Sequence, residues 1–146
     1  MNLAIARAPA GALDEVNAFY KAVSYTGTAR AGDLVWAARA PEGRILGLAR
    51  ICPEPAGYVL LRGLYVAPDA QGNGIGTALA RAALADAAGR FCYCLPFRPL
   101  EGFYARLGFR AIAASQALQA VEARWRSYLA DGLDVIVMRR LPVYDC

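Results

Sequence analysis

The residue spacing with the clearest chemical meaning is a run of small residues between an apolar, strand-like segment and an alanine-rich, helix-like segment. Its members are Gln71, Gly72, Asn73, Gly74, Ile75, Gly76 and Thr77. The first turn of a helix has backbone N–H groups without partners and the positive end of the helix dipole, an arrangement that suits a diphosphate. Glycine has no Cβ, so the backbone can approach phosphates closely and can adopt positive φ. The run therefore predicts a pyrophosphate-binding loop whose donors are amides.

Two other phosphate-binding loops do not fit this segment. The nucleotide-hydrolysing P-loop requires a lysine after its last glycine, and no lysine lies near. The dinucleotide-binding pattern G-x-G-x-x-G requires a third glycine at Thr77, and an acidic residue about 20 residues on, where the chain has Phe91 to Cys94. A glycine-rich turn that binds no ligand is the remaining structural alternative.

The loop and its flanks resemble the acyl-CoA-binding motif of the GNAT superfamily of N-acetyltransferases, V-x-P-x-x-[QR]-G-x-G-[IV]-G-x-x-L. The matching residues are Val66, Pro68, Gln71, Gly72, Gly74, Ile75, Gly76 and Leu79. Downstream, residues 103–109 are similar to a second segment of that family, F-Y-x-x-x-G-F. Two motifs in the family's order are more specific than either one alone. The resemblance implies a single domain over 1–146, in which helices flank a mixed, mostly antiparallel sheet that splays at its centre.

The resemblance also implies an enzyme, an acyltransferase that uses acetyl-CoA as cosubstrate and transfers the acetyl group to a primary amine by direct attack. In the family, backbone groups at the positions of Leu64, Tyr65 and Val66 contact the pantetheine arm, and an N–H there steadies the oxyanion. The family's tyrosine in the second motif protonates the leaving thiolate. Tyr104 matches it, and a phenol with a pKa of about 10 can donate that proton. A packing role is the alternative for Tyr104.

The general base is left open by the sequence. Many relatives have a glutamate on the strand before the loop, but residues 60–62 here are Leu, Leu and Arg. Glu54 and Glu101 are the nearest carboxylates and could act through water, although solvated surface charges are the simpler interpretation of both. Tyr58 and Tyr65 are alternatives as water-positioning groups.

The pattern of apolar residues predicts a meander of strands followed by alternating strands and helices, a mixed α/β arrangement. The predicted strands are 3–7, 34–40, 44–52, 58–66, 91–97, 109–113 and 135–141, and the predicted helices are 13–23, 77–88, 101–107 and 116–130.

Bulk composition narrows the class of protein. Hydrophobic residues make up 58% and charged residues 19% of 146, which excludes a disordered chain. No apolar run reaches the roughly 18 residues that span a bilayer, and the N-terminus lacks a signal pattern, so we expect a cytoplasmic protein without a membrane partner. The net charge is +4, but the arginines are scattered, so we expect no nucleic-acid partner.

The cysteines predict neither a disulfide framework nor a metal site. Cys92 and Cys94 share a strand face, where a mutual bridge would be strained, and Cys52 and Cys146 have no C-x-x-C partner. The chain contains no histidine. We therefore expect buried, reduced thiols and no bound metal, and without histidine a covalent cysteine intermediate is disfavoured.

The acceptor is not identified by the sequence, which is compatible with a small-molecule or peptide amine. A polyamine, amino acid, antibiotic, peptide N-terminus or lysine side chain all fit. A non-catalytic acyl-CoA sensor that uses the same loop is the rival interpretation. Family members commonly dimerise, so a homodimer is compatible as well.

Overall fold

Seven strands form one sheet in the computed structural model, which describes residues 3–143. The strands are β1 (Ala4–Arg7), β2 (Leu34–Arg39), β3 (Ile45–Pro53), β4 (Val59–Val66), β5 (Cys92–Cys94), β6 (Arg110–Ile112) and β7 (Val137–Arg140). Their order across the sheet is β1-β2-β3-β4-β5-β7-β6, and every neighbouring pair is antiparallel except β4 and β5. The predicted mixed, mostly antiparallel fold is confirmed.

Four α-helices cover the two faces of this sheet. They are α1 (Leu13–Ala22), α2 (Ile75–Leu84), α3 (Glu101–Ala105) and α4 (Gln119–Ala130). Successive strand residues point to opposite faces, so Val35 and Ala37 pack with α1 while Ala38 packs in the cluster that contains α2. Val121 of α4 packs on the same face as α1, in a third cluster with residues of β3, β4, β5 and β7.

Helix α2 lies close to the sheet because its buried face is built partly from alanine. Ala80 and Ala83 are fully buried beside Leu79 in the main core cluster. Just beyond α2, the Trp36 indole N–H donates a 2.7 Å hydrogen bond to the Asp86 carboxylate. Helix α2 contacts β1, β2, β3 and β4, and this packing fixes its first turn relative to the end of β4.

Several predicted boundaries are wrong. The helices expected to end at residues 88 and 107 end at Leu84 and Ala105, and the strand expected over 135–141 is Val137–Arg140. The strand expected over 91–97 is only Cys92–Cys94, since Pro96 has no N–H for a ladder and Phe97 makes an isolated bridge to Val135. The helix expected from residue 116 begins at Gln119, after a short 3₁₀ turn. Helix α2 begins at Ile75, two residues earlier than predicted, because Gly74 takes the left-handed conformation.

The thiols of Cys52, Cys92 and Cys94 are buried and outside any disulfide, as predicted. Cys146 and the first two residues lie outside the described residues. Among residues 3–143, no group of three histidine, cysteine, aspartate or glutamate side chains is placed to hold a metal ion. None of the helices there combines the length and apolarity that crossing a bilayer requires.

Candidate active site

A cleft opens in the middle of the sheet where β4 and β5 separate. The two strands pair only at Val59 with Cys92 and at Leu60 with Tyr93. Beyond that point β4 continues for six residues, from 61 to 66, paired with β3 but not with β5. This edge of β4 therefore faces the cleft, and it includes Leu64, Tyr65 and Val66, the predicted contacts of the pantetheine arm.

A β-bulge interrupts β4 at the cleft. Leu48 of β3 pairs with Tyr65, whereas Arg50 pairs with Arg62, so β4 has one more residue than β3 in this interval. The extra residue is at Gly63–Leu64, and Gly63 has a φ of +64°. A bulge re-aims the backbone groups around it. We name Gly63–Leu64 the β4 bulge.

Buried polar groups hold the β4 bulge from the face that α1 covers. The Tyr20 hydroxyl donates a 2.7 Å hydrogen bond to the Gly63 carbonyl. Burial raises the pKa of Tyr20, so its hydroxyl stays protonated as a donor. Beside it, the guanidinium of fully buried Arg50 contacts Asp33 at 2.9 Å and the Thr28 carbonyl at 2.8 Å, and lies 5.3 Å from the centre of the Tyr20 ring.

A pocket of about 250 Å³ lies beside the glycine loop (residues 71–76) at the end of β4. It is lined by Val66, Ala70, Gln71, Gly72, Gly74, Ile75, Gly76, Thr77 and Phe103. Most of these residues were predicted from the sequence to bind a pyrophosphate, and the structure brings them together around one cavity.

The glycine loop has the geometry of an anion cradle. Gly72 and Gly74 have φ values of +85° and +76°, and no heavy atom lies within 4 Å of the place where either would carry a Cβ. Helix α2 starts with the bond from the Ala78 N–H to the Gly74 carbonyl. The N–H groups of Ile75, Gly76 and Thr77 precede that bond, so they have no carbonyl partner within the helix. They are free to bind phosphate oxygens.

The side chains of Gln71 and Asn73 shape the loop. The Gln71 amide donates to the Val66 carbonyl at 2.9 Å, which ties the loop to the end of β4. The Asn73 amide donates to the carbonyls of Ala70 and Gln71, at 3.2 and 3.4 Å. Both residues belong to the predicted set, and in this structure their side-chain amides contact the protein's own backbone.

Tyr104 is half-buried on α3 and packs against the main core cluster, the one that contains α2. Its ring makes edge-to-face contacts with Phe103 and Phe109, with centroids 5.0 and 6.0 Å away. Burial raises the pKa of Tyr104, and the nearby Cys94 thiol adds to the rise, so the phenol remains protonated. Phe103 was not predicted as a site residue, yet it lines the pocket; its place at the start of the second motif was the available signal.

The candidate bases occupy different environments. Glu54 is not the solvated surface charge that the sequence favoured: its side chain is 12% exposed, between Arg30 at 3.8 Å and Arg124 at 3.7 Å. Glu101 is exposed in the first turn of α3. Tyr58 is buried at the closed end of the cleft against Tyr93, with its pKa raised chiefly by burial.

Comparison with known proteins gives one family. The family model described as an acetyltransferase (GNAT) domain matches residues 31–111, more than half of the chain. No curated protein is significantly similar to this chain in sequence.

Solved structures share the fold at low sequence identity. Rv2747 from Mycobacterium tuberculosis, in complex with CoA and NLQ, is 19% identical with a TM-score of 0.74, covering 96% of this chain and 99% of that one. N-acetylglutamate synthase from Neisseria gonorrhoeae, complexed with coenzyme A and N-acetyl-glutamate, is 17% identical with a TM-score of 0.73; the match covers 96% of this chain and only 35% of that enzyme. A histone acetyltransferase HPA2-related protein from Corynebacterium glutamicum is 15% identical with a TM-score of 0.69, covering 99% of both chains.

Proposed function

Because this chain belongs to the GNAT family of acetyltransferases, we propose that residues 1–146 form one N-acetyltransferase domain that transfers an acetyl group from acetyl-CoA to a primary amine by direct attack. GNAT domains use acetyl-CoA as cosubstrate, and two of the similar structures contain coenzyme A. In those two, the second ligand is N-acetyl-glutamate or NLQ. N-acetyl-glutamate is the acetylated form of a small-molecule amine, and the acceptor we propose is likewise a small molecule with a primary amine.

The observation that carries this proposal is the fit between the glycine loop and a diphosphate. The loop combines two open glycines at positive φ, three helix-start amides and a pocket of about 250 Å³ at the end of a strand whose edge is free. Amide donors at a helix start bind phosphate without needing a lysine. We assign the pyrophosphate to Gln71, Gly72, Asn73, Gly74, Ile75, Gly76 and Thr77.

Beyond the loop, the free edge of β4 would position the rest of the cosubstrate. Acetyl-CoA supplies an activated acetyl thioester when bound. Backbone groups of Leu64, Tyr65 and Val66 would hydrogen-bond the pantetheine arm as an added strand would. A β-bulge re-aims the backbone groups beside it, so an N–H of this segment would face the cleft and stabilise negative charge on the acetyl oxygen.

Tyr104 would provide the proton for the departing sulfur. Its raised pKa keeps the phenol protonated across the physiological range. Direct attack is favoured over a cysteine intermediate, because burial raises the pKa of Cys52 to about 11 and that of Cys92 to about 12 and holds the pKa of Cys94 well above its usual value. Thiols with such raised pKa values are not ionised at neutral pH and are therefore poor nucleophiles.

Calorimetry and thiol release test the proposal together. Titration of CoA into the folded protein should give a measurable heat of association. Incubation with acetyl-CoA and a panel of amines should release free CoA, detected with a colorimetric thiol reagent, at a rate that depends on the amine. Association without amine-dependent release would identify a non-catalytic acyl-CoA sensor, and no association at all would refute the cradle.

A further inference from the structure

The two faces of the sheet at the cleft differ in chemistry. Leu61, Leu64 and Val66 of β4 pack in the cluster that contains α2, the face of the glycine loop. Leu60 and Tyr65 pack on the opposite face, with the clusters of α4 and α1 respectively. The intervening residue on that second face is Arg62, directly before the β4 bulge. An acceptor approaching the bulge from the face opposite the glycine loop therefore meets Arg62.

Arg62 carries a charge that has no carboxylate partner in the described part of the chain. It is partly buried, and its guanidinium donates one long hydrogen bond, 3.4 Å, to the Tyr128 hydroxyl of α4. No carboxylate of residues 3–143 forms an ion pair with it. Its cross-strand neighbour Arg50 is, by contrast, fully buried against Asp33. Partial burial of an unpaired cation costs free energy, which a bound anion would offset.

The neighbouring carboxylates are already shared among other arginines. Asp33 contacts both Arg30 and Arg50, and Glu54 contacts both Arg30 and Arg124. Arg62, the cross-strand neighbour of Arg50, adds a fourth positive charge to the three arginines that share these two carboxylates. This excess of positive charge disfavours a polyamine acceptor and favours an anionic one.

We propose that the acceptor amine carries a carboxylate, as an α-amino acid does, and that Arg62 together with the Tyr128 hydroxyl binds that carboxylate. A guanidinium can bind a carboxylate through two parallel hydrogen bonds, and the phenol can donate a third. Arg62 directly precedes the β4 bulge, so a carboxylate bound there would lie beside the proposed acetyl site. This assignment rests on the proposed function.

Matched acceptor pairs test the substrate class. Each α-amino acid is compared with its own α-amide, which keeps the amine and side chain but lacks the negative charge. Amine-dependent CoA release should be faster with the acids when acid and amide are compared at equal concentrations of the neutral amine below KM. Equal or faster rates with the amides would overturn the carboxylate assignment while leaving acetyl transfer intact.

Two variants at one position test the residue. Arg62→Gln should raise KM for the preferred amino acid at least tenfold, the direction expected when a charge-assisted pair loses one partner, and should leave KM for its amide within about twofold. Arg62→Lys keeps the positive charge but cannot form the two parallel hydrogen bonds of a guanidinium. Its KM for the amino acid should therefore lie between those of the wild type and Arg62→Gln. Arg90→Gln, which removes an exposed arginine beyond α2, is the matched control. Equal losses for acid and amide would overturn the role of Arg62.

A binding measurement separates this inference from catalysis. Titrating the amino acid and its amide into the CoA-loaded protein detects acceptor binding without turnover. Binding of the acid but not the amide, with loss in Arg62→Gln and unchanged CoA affinity, supports the carboxylate site even if no CoA is released. Absence of acid-specific binding in a protein that binds CoA overturns it.

Discussion

The two halves of the cleft are built from different parts of the polypeptide. The proposed cosubstrate half consists mainly of backbone groups: amides at the start of α2, glycines at positive φ and the free edge of β4. The proposed acceptor half consists of side chains, Arg62 of β4 and Tyr128 of α4, which lie 66 positions apart in the chain. A backbone site is fixed by a short stretch of sequence and suits a ligand common to a whole family. A side-chain site can change with few substitutions, so the acceptor can differ between members of one family.

Within the cosubstrate half, glycines at positive φ differ in how crowded they are. At Gly72 and Gly74 the space of a Cβ is open, whereas at Gly63 a Cβ would overlap the Tyr20 hydroxyl and lie 2.8 Å from the Arg50 Nε. Open space at the loop leaves room for a ligand. Crowding at the β4 bulge shows that a buried polar network is packed against the backbone.

The largest expected effect is on stability, from Gly63→Ala. Positive φ in a non-glycine residue costs about 1–3 kcal/mol, and overpacking a buried site typically adds about 1–3 kcal/mol. We expect the free energy of unfolding to fall by about 3 kcal/mol in total, measured by urea denaturation with tryptophan fluorescence. Gly72→Ala is the control, because Gly72 also has a positive φ but no overlap at its Cβ position, and should cost about 1 kcal/mol. Equal losses in the two variants would show that the network does not hold the bulge.

The sequence predicts the two halves of the cleft to different extents. The glycine loop and the succession of strands along the chain were predictable because each depends on local spacing: 71–77 is one continuous segment, and apolar alternation marks each strand. Tyr104 was singled out only through its match to the family's second motif. The ion pair between Arg50 and Asp33, and the contact between Arg62 and Tyr128, join residues 17 and 66 positions apart. Nothing in the local pattern distinguishes these arginines from solvated ones. The environment of Glu54 was misjudged for this reason.

The next largest effect is expected on turnover, from Tyr104→Phe. If the phenol donates the proton to the leaving thiolate, its removal should lower kcat about 100-fold, the lower end for general acid catalysis. The affinity for CoA should stay within about twofold, because the ring and its contacts with Phe103 and Phe109 are kept. Since burial raises the pKa of Tyr104, the wild-type rate should not decline through its ionisation below about pH 10, the ordinary phenol value. An unchanged kcat would leave Tyr104 a packing role only.

A smaller effect, confined to the cosubstrate half, is expected from Gly74→Asp. Aspartate tolerates the left-handed backbone better than most residues, so the fold should persist. Its carboxylate would stand beside the pyrophosphate, and repulsion by two phosphoryl charges at about 4 Å costs about 2 kcal/mol in water. Calorimetry should show CoA affinity reduced about 30-fold. The acceptor preference measured at saturating acetyl-CoA should not change; a shift in that preference would mean that the two halves of the cleft are not independent.

The smallest effect is expected from Cys94→Ala, which tests whether the core cluster beside Tyr104 contributes a nucleophile. Cys94 packs in the same cluster as Tyr104, and its burial holds the pKa of the thiol well above the ordinary value. A neutral, enclosed thiol cannot form an acetyl-enzyme, so kcat should remain within about twofold, with a stability loss of about 1 kcal/mol for the lost sulfur contacts. Cys52→Ala, on the opposite face, is the matched control. Intact-mass measurement after incubation with acetyl-CoA alone should show no added acetyl group. If the wild type becomes acetylated and Cys94→Ala does not, the transfer proceeds in two steps through Cys94 rather than by direct attack. The cosubstrate half would then act through a side chain as well as through its backbone.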